Sequence, residues 1–221
     1  MKIKKYIAEI IGTFALVFCG TGAIIIDQET GGTITHVGIA ITFGLIVSAM
    51  IYTVGDISGA HLNPAVTVAF WIAKKFPVKE IIPYLSSQAI GAFMASFTLK
   101  FLFPANDKLG STLPFDLPMQ SFVLEVILTF ILVFVILHVA HGSKEQGMFA
   151  GIAIGSVVML EAMFAGPISG ASMNPIRSLA PAVVSGHVEY LWVYLLAPTI
   201  GGVLAAGTWR FFKPYKEFKD I

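Results

Sequence analysis

The sequence predicts an all-α membrane protein with six transmembrane helices and two half-helices, and three observations support this fold class. Of the 221 residues, 56% are hydrophobic and only 12% are charged, whereas soluble domains carry about 25% charged residues. Long apolar stretches recur at the length that spans a bilayer. Two similar polar phrases, residues 58–66 and 169–177, interrupt this apolar sequence. The chain is therefore expected to form a single transmembrane domain, residues 1–221, in a lipid bilayer.

The composition also excludes several classes of protein. A net charge of +1 provides no clustered basic face, so no nucleic acid partner is expected. The single cysteine, Cys19, excludes an internal disulfide. No nucleophile set, metal-ligand set or phosphate-binding loop is visible, so we expect neither enzyme activity nor a cofactor or metal. The lysine-rich start leads into an apolar span too long for the hydrophobic region of a signal peptide, and this span is expected to be retained.

Six apolar stretches have the length of about 20 residues that a spanning helix needs. They cover roughly residues 6–26, 34–55, 82–103, 119–140, 147–166 and 190–212. Lysine and arginine concentrate at the two termini and in the connections after the second and fourth spans, which the positive-inside rule places in the cytoplasm. We therefore expect a multi-pass protein of the cell membrane with both termini cytoplasmic. The basic residues concerned are Lys2, Lys4, Lys5, Lys74, Lys75, Lys79, Lys144, Arg210, Lys213, Lys216 and Lys219.

Each polar phrase is followed by an apolar run about half as long as a span. The first phrase, SGAHLNPAV, lies in a connection predicted to be cytoplasmic, and the second, SGASMNPIR, in a connection predicted to be external. The runs after them, residues 65–73 and 176–184, are short enough to enter the bilayer from opposite sides and meet near its midplane. Non-helical backbone at that depth is tolerated only if it is buried in protein or lines a water-filled cavity. The two loops are thus predicted to line an aqueous path.

An internal repeat supports this arrangement. The segment AEIIGTFALVF at residues 8–18 aligns with LEVILTFILVF at residues 124–134 at a constant offset of 116 residues, which pairs Glu9 with Glu125. Asn63 and Asn174 are 111 residues apart, so the two phrases fit the same duplication. Because each half holds three spans, the second half begins on the opposite side of the bilayer. This predicts inverted repeats over approximately residues 1–110 and 117–221.

An Asn-Pro pair is predicted to begin each half-helix. Asn is a favoured N-cap residue, and Pro at the first helical position lacks an N–H that would be unpaired there anyway. If the side-chain oxygens of Asn63 and Asn174 cap the helices, their two amide hydrogens are free to point into a lumen. Two helix N-termini, each equivalent to about half a positive charge, would then repel cations at the centre. The simpler interpretation, two ordinary helix caps, stays open at this point.

Charged and titratable side chains are costly within a membrane, so each one in an apolar segment is expected to have a structural or functional role. Glu9 and Glu125 lie within spans, where an ionisable group requires partners. We interpret them as braces that accept N–H bonds from the unwound loops, and a role in proton transport is the alternative. His61, at the position that Ser172 holds in the second phrase, either braces its loop or lines the pore. Arg177 is either an interfacial arginine that reaches to the membrane surface or a guanidinium that lines the external mouth.

Together these residues resemble the aquaporin, or major intrinsic protein, family, through AEIIGTF, SGAHLNPAVT, the repeated glutamate and SGASMNPIRS. The resemblance covers nearly the whole chain. In MFAGPISGASMNP and WVYLLAP it is closest to nodulin-26-like or aquaglyceroporin-like prokaryotic members of the family. It implies the aquaporin-like fold, a passive channel for water and small neutral solutes, and a homotetramer with one pore per subunit. One departure is Ile176, which stands where the family has Ala and would narrow or reshape the centre. The implied central constriction comprises Asn63, Pro64, Ala65, Asn174, Pro175 and Ile176.

The resemblance also implies a selectivity filter at the family's narrowest point. Water-selective members usually carry His at the position of Ala162, so an alanine there implies a wider opening that admits glycerol or undissociated metalloid acids. Glu161 is a further departure and either faces the lumen or braces the external loop. The implied filter residues are Phe43, Ala162, Ala171 and Arg177.

Other signals leave the solute open. Ser178 and Ala182 match the water-channel pattern of the family. Tyr194 and Leu195 match the nodulin-26-like branch instead. An alternating-access carrier for a small neutral solute remains the alternative function, because inverted repeats and broken helices also build transporters. An adhesion or scaffold protein would leave Arg177 and both Asn-Pro motifs without a role.

Overall fold

The computed structural model describes residues 2–212, which fold into nine α-helices and one 3-10 turn. The first helix begins at Lys2, four residues before the predicted span, and the other spans lie within a few residues of their predicted bounds. Lys213, Lys216 and Lys219, which entered the topology prediction, lie outside the described residues. The elements in order are α1 (Lys2–Glu29), α2 (Thr35–Ser58), α3 (Pro64–Ile72), the 3-10 turn (Val78–Glu80), α4 (Ile81–Leu102), α5 (Pro118–Ala140), α6 (Lys144–Met148), α7 (Ala150–Ser169), α8 (Pro175–Ser185) and α9 (Leu191–Phe212).

Within the described region, five helices, α1, α2, α5, α7 and α9, are long and apolar enough to cross a membrane. The sixth predicted span is α4, whose 22 residues also suffice to cross a bilayer. Its interior face carries buried Ser87, Gln88 and Ser96, and these polar side chains lower its mean hydropathy. α4 also packs against the apolar helix α1, so six helices of spanning length are present within residues 2–212. The predicted fold class, six transmembrane helices with two half-helices, is confirmed.

The two half-helices are α3, with 9 residues, and α8, with 11 residues. Each begins as the sequence predicts, with an Asn N-cap in extended conformation and a Pro at the first turn. Each half-helix packs against a span from the other half of the chain, α3 against α9 and α8 against α4. The two halves therefore interlock around the ends of the half-helices.

The loops that precede the half-helices share an unusual backbone. Ala60 and Leu62 have φ values of 47° and 51°, and Ala171 and Met173 have φ values of 41° and 53°. The left-handed conformation costs a non-glycine residue about 1–2 kcal/mol. Four such residues persist only where the surrounding structure holds them in place. Hydrogen bonds from backbone N–H groups of the loops to Glu9 and Glu125 hold them.

Close helix contacts repeat in the two halves. A Cβ atom built on Gly91 of α4 would lie 2.3 Å from the carbonyl oxygen of Ile10 in α1. One built on Gly201 of α9 would lie 2.4 Å from the carbonyl oxygen of Val126 in α5. Small residues at such crossings let helix backbones approach in membranes. The pairs α1–α4 and α5–α9 are therefore packed backbone to backbone in the same way, as an internal repeat requires.

Candidate functional site

A cavity of about 390 Å³ runs along the inner faces of α2 and α7 and between the two unwound loops. One end is lined by Tyr52 and Asp56, near the C-terminus of α2. Asn63 and Asn174 lie on its middle section. The other end is lined by four of the residues singled out from the sequence, here called the Arg177 cluster: Phe43, Ala162, Ala171 and Arg177.

The side chains of Asn63 and Asn174 join the two halves at the centre. The Oδ1 atom of Asn63 accepts the Ala65 N–H at 2.8 Å, while its Nδ2 donates to the Met173 carbonyl at 2.7 Å. In the same way, Nδ2 of Asn174 donates to the Leu62 carbonyl at 2.9 Å. One amide hydrogen of each Asn is therefore bound to the opposite loop, whereas the sequence led us to expect both to be free. The left-handed loops explain this difference, because they turn the Leu62 and Met173 carbonyls towards the opposite half. One amide hydrogen per Asn remains for the cavity.

Glu9 holds the first loop through both carboxylate oxygens. Oε1 accepts the His61 N–H at 2.9 Å and the Ser58 hydroxyl at 2.7 Å. Oε2 accepts the Leu62 N–H at 2.8 Å and Nε2 of Gln88 at 2.9 Å. The carboxylate is fully buried, and these donors compensate its removal from solvent. Glu9 does not line the cavity, so its geometry is that of a brace and not of a proton relay.

Glu125 holds the second loop in the equivalent manner. Oε1 accepts the Ser172 N–H and the Ser169 hydroxyl, both at 2.8 Å, and Oε2 accepts the Met173 N–H at 2.8 Å. The sequence motifs around Glu9 and Glu125 are alike, yet only Glu9 accepts a hydrogen bond from a side-chain amide, that of Gln88. Sequence reasoning missed Gln88 because it lies in the middle of α4, outside both polar phrases.

His61 both braces its surroundings and lines the cavity, the two roles that the sequence left open. Its Nδ1 lies 3.1 Å from the Thr67 hydroxyl, and its ring packs against Phe70, Phe76 and Tyr84 with centroid distances of 4.7, 4.8 and 5.1 Å. The ring also contributes to the cavity wall. The imidazole is thus fixed by an aromatic box while it lines the path.

Arg177 is buried, with 2% of its surface exposed, and does not reach to a membrane interface. Its Nη1 donates to the Gly110 carbonyl at 3.1 Å, and its Cζ lies 5.0 Å from the ring centroid of Phe43. The connection between α4 and α5 therefore positions the guanidinium at the cavity. Gly110 is a further residue that the sequence did not reveal, because this connection has no counterpart in the repeat.

The remaining motif residues begin the half-helices without lining the cavity: Pro64, Ala65, Pro175 and Ile176. The side chain of Ile176 is 4% exposed and belongs to the hydrophobic core. The larger side chain of Ile176, which stands where the family has Ala, therefore packs in the core and does not narrow the cavity.

Glu161 takes neither of the two positions considered for it. It precedes Ala162 on α7 but is absent from the cavity wall. Its side chain is 1% exposed, and within the described residues neither carboxyl oxygen has a hydrogen-bond partner. It is therefore buried in the bundle beside Ala162 and, within the described residues, its carboxyl group makes no hydrogen bond to the external loop.

Comparison with known proteins agrees with this geometry. The family model described as "Major intrinsic protein" matches residues 1–209. The chain belongs to the major intrinsic protein family. The channel is similar to nodulin-26 of Glycine max, with 46% identity over 210 residues that cover 95% of this chain and 77% of that protein. It is also similar to aquaporin NIP1-1 of Oryza sativa subsp. japonica, with 47% identity over 210 residues that cover 95% and 73% of the two chains.

A solved structure supports the same assignment. The aquaglyceroporin from Plasmodium falciparum superposes with a TM-score of 0.84 at 29% identity, covering 96% of this chain and 97% of that one. The family consists of passive channels for water and small solutes, and this protein is a channel of that class and not an enzyme. The alternating-access carrier is not favoured.

Proposed function

We propose that the channel conducts water together with uncharged solutes of the size of glycerol, including undissociated metalloid acids, and excludes ions and protons. The observation that carries this proposal is the Arg177 cluster, in which two of the four side chains that line one end of the cavity are alanines. Ala162 and Ala171 leave space for a solute larger than water. The structural neighbour described as an aquaglyceroporin supports a solute range beyond water.

The Arg177 cluster acts as the selectivity filter in this proposal. The buried guanidinium of Arg177 donates hydrogen bonds to a passing hydroxyl and repels cations, while the ring of Phe43 faces the carbon side of the solute. A solute with oxygen on one side and hydrocarbon on the other, such as glycerol, fits a wall of this kind. Each polar contact replaces a water contact that the solute loses on entry.

The paired Asn-Pro motifs form the central constriction and the main barrier to protons. The N-termini of α3 and α8 each contribute about half a positive charge, and both face the centre. One amide hydrogen of Asn63 and one of Asn174 donate to the oxygen of a water at this point. The hydrogens of that water then point outwards, so it does not accept a proton from its neighbour. Pro64, Ala65, Pro175 and Ile176 support the constriction by fixing the helix starts.

The protein is a membrane protein of this family, and we further propose its placement and assembly. The proposal is a homotetramer in the cell membrane with both termini cytoplasmic and inverted repeats over residues 1–110 and 117–221. The exposed apolar side chains of the spans are suited to lipid or to neighbouring subunits, as Leu45, Phe97 and Phe101 illustrate. The lysines between α3 and α4, Lys74, Lys75 and Lys79, favour a cytoplasmic location for that connection.

Purified protein in proteoliposomes tests the proposal. Stopped-flow light scattering measures water efflux, and the same vesicles are then exposed to glycerol, urea and boric acid below its pKa. We expect water and glycerol to cross faster than in empty vesicles and an imposed potassium gradient to persist. Solute entry no faster than in empty vesicles would refute the solute range, and water efflux no faster than in empty vesicles would refute the function.

A further inference from the structure

A glycine of α1 borders the ring of Phe43. A Cβ atom built on Gly20 would lie 2.1, 2.5 and 2.6 Å from Cε1, Cζ and Cδ1 of that ring. Contacts below 3.0 Å are essentially never made by real Cβ atoms. The three nearest neighbours all belong to one side chain, so the ring occupies the space that a side chain at position 20 would need. Gly20 is a buried residue, and lipid does not fill this space.

The ring of Phe43 lies between Gly20 of α1 and the cavity. On the other side it contacts Arg177, whose Cζ is 5.0 Å from the ring centroid, and the ring lines the cavity there. Phe43 is 8% exposed and otherwise belongs to the buried core. A side chain at position 20 would therefore push the ring towards the guanidinium and into the cavity, because the core is close-packed.

The second half of the chain fills the corresponding place differently. At the repeat offsets of 116 and 111 residues, Gly20 and Phe43 correspond to Ile136 on α5 and Ile154 on α7. Both isoleucines line the cavity. The second half of the chain thus has two medium-sized side chains at these positions. The first half has a glycine, Gly20, and a large aromatic ring, Phe43, instead. The absence of a side chain at Gly20 therefore provides the space that the Phe43 ring occupies.

We propose that Gly20 is a specificity-determining residue of the channel. Without a side chain of its own, it lets the Phe43 ring lie back against α1 and keeps the opening at the Arg177 cluster wide enough for glycerol. Gly20 never touches the solute and acts through the position of the ring. The inference rests on the proposed function, because it assumes that solutes pass between Phe43, Ala162, Ala171 and Arg177.

The test is the Gly20→Ala variant with Gly22→Ala as its matched control. Gly22 is buried on the same helix, and a Cβ atom there would lie 3.4 Å from Leu99, an ordinary contact, so it changes helix propensity equally without reaching Phe43. In proteoliposomes we expect G20A to lower the ratio of glycerol to water permeability about tenfold, equivalent to a barrier increase of about 1.4 kcal/mol. G22A should keep the wild-type ratio. An unchanged ratio in G20A, in vesicles whose wild-type protein passes glycerol, overturns the inference.

A double-mutant cycle separates the ring from helix packing. With Phe43→Ala present, the added methyl group has no ring to displace, so G20A should leave the permeability ratio of F43A unchanged. A loss of the same size in both backgrounds would show that the methyl group acts through helix packing, and the inference would be wrong.

A crystal structure of G20A provides a readout that does not depend on flux. We expect the Phe43 ring to be displaced towards Arg177 while α1 and α2 keep their separation. A ring in its original place with α1 moved outwards overturns the inference even if glycerol permeation fails in the wild type. Wild-type vesicles that pass water but not glycerol refute the proposed solute range alone, and the ring position still decides the role of Gly20.

Discussion

At the scale of single residues, the amides of Asn63 and Asn174 each serve two purposes. Each oxygen caps a half-helix, and each nitrogen donates one hydrogen to a carbonyl of the opposite loop. These two hydrogen bonds between the halves fix the distance between the N-termini of α3 and α8, so the positive ends of both helices stay directed at one point. The remaining amide hydrogens are thereby held in a fixed direction instead of rotating with a free side chain. Electrostatic stabilisation by such pre-oriented groups is stronger than by mobile ones.

Replacing Asn63 by Asp should weaken the exclusion of protons and cations. The carboxylate keeps the capping acceptor for the Ala65 N–H but removes the donor to the Met173 carbonyl and adds a negative charge at the centre. A unit charge at about 4 Å contributes about 4 kcal/mol at an effective dielectric constant of 20, so proton flux should rise more than about tenfold. Vesicles loaded with a pH-sensitive dye measure this flux.

The repeat provides a second, equivalent variant. Asn174→Asp alters the equivalent amide and should change proton flux in the same direction. If both variants conduct water and remain as impermeable to protons as the wild type, the paired amides and helix ends are not the proton barrier.

Replacing Arg177 by Val should widen the solute range and weaken cation exclusion. The change removes the guanidinium from the Arg177 cluster together with its bond to the Gly110 carbonyl. We expect glycerol and urea permeability to rise about tenfold if a barrier of about 1.4 kcal/mol is lost. Arg177→Lys retains the charge without the planar donor set, so it should still exclude cations. Unchanged glycerol and ion permeability in R177V would count against Arg177 as a filter residue.

At the scale of elements, the two unwound loops depend on buried carboxylates. Each loop contains two non-glycine residues in the left-handed conformation. Glu9 and Glu125 accept consecutive backbone N–H groups from the loops, at His61 and Leu62 and at Ser172 and Met173. The strain of the loops is thereby offset by charge-assisted hydrogen bonds.

Replacing Glu9 by Gln should destabilise the protein markedly. One carboxylate oxygen becomes an NH₂ group that faces donors only, so buried N–H groups lose their acceptor. Loss of hydrogen bonds to a charged group costs about 2 to 3 kcal/mol, and the unfolding temperature in detergent should fall accordingly. Glu145→Gln, on the exposed helix α6, is the control and should leave that temperature unchanged. Equal unfolding temperatures for E9Q and the wild type would show that Glu9 is not a brace.

The contact between α5 and α9 makes a separate prediction. Gly201→Ala places a methyl group 2.4 Å from the Val126 carbonyl oxygen, so the helices must separate. Overpacking of this kind costs about 1 to 3 kcal/mol. Gly207→Ala lies on the same helix with nothing within 4 Å of the new methyl group, and its better helix propensity should stabilise the protein slightly. Thermal unfolding of both variants measures the difference, and equal shifts would contradict the contact.

At the scale of the whole molecule, the sequence predicts the fold because a membrane restricts a chain to few solutions. Hydropathy and length locate the spans, and the two Asn-Pro phrases locate the half-helices, because polar backbone must be satisfied at membrane depth. Contacts between distant segments are not visible in such patterns. The crossed amide bonds, the bond from Arg177 to Gly110 and the space at Gly20 depend on how α1, α2 and the loops meet in three dimensions. The direction of Ile176 also escaped prediction, because its substitution could fill either the cavity or the core.

In the proposed function, uncharged solutes cross this channel while protons do not. Proteoliposomes that contain a pH-sensitive dye report volume and internal pH together after rapid mixing with glycerol at a different external pH. We expect glycerol to enter faster than in empty vesicles, in linear proportion to its concentration, while the internal pH changes no faster than in empty vesicles. Saturating glycerol entry that moves protons in step would contradict it.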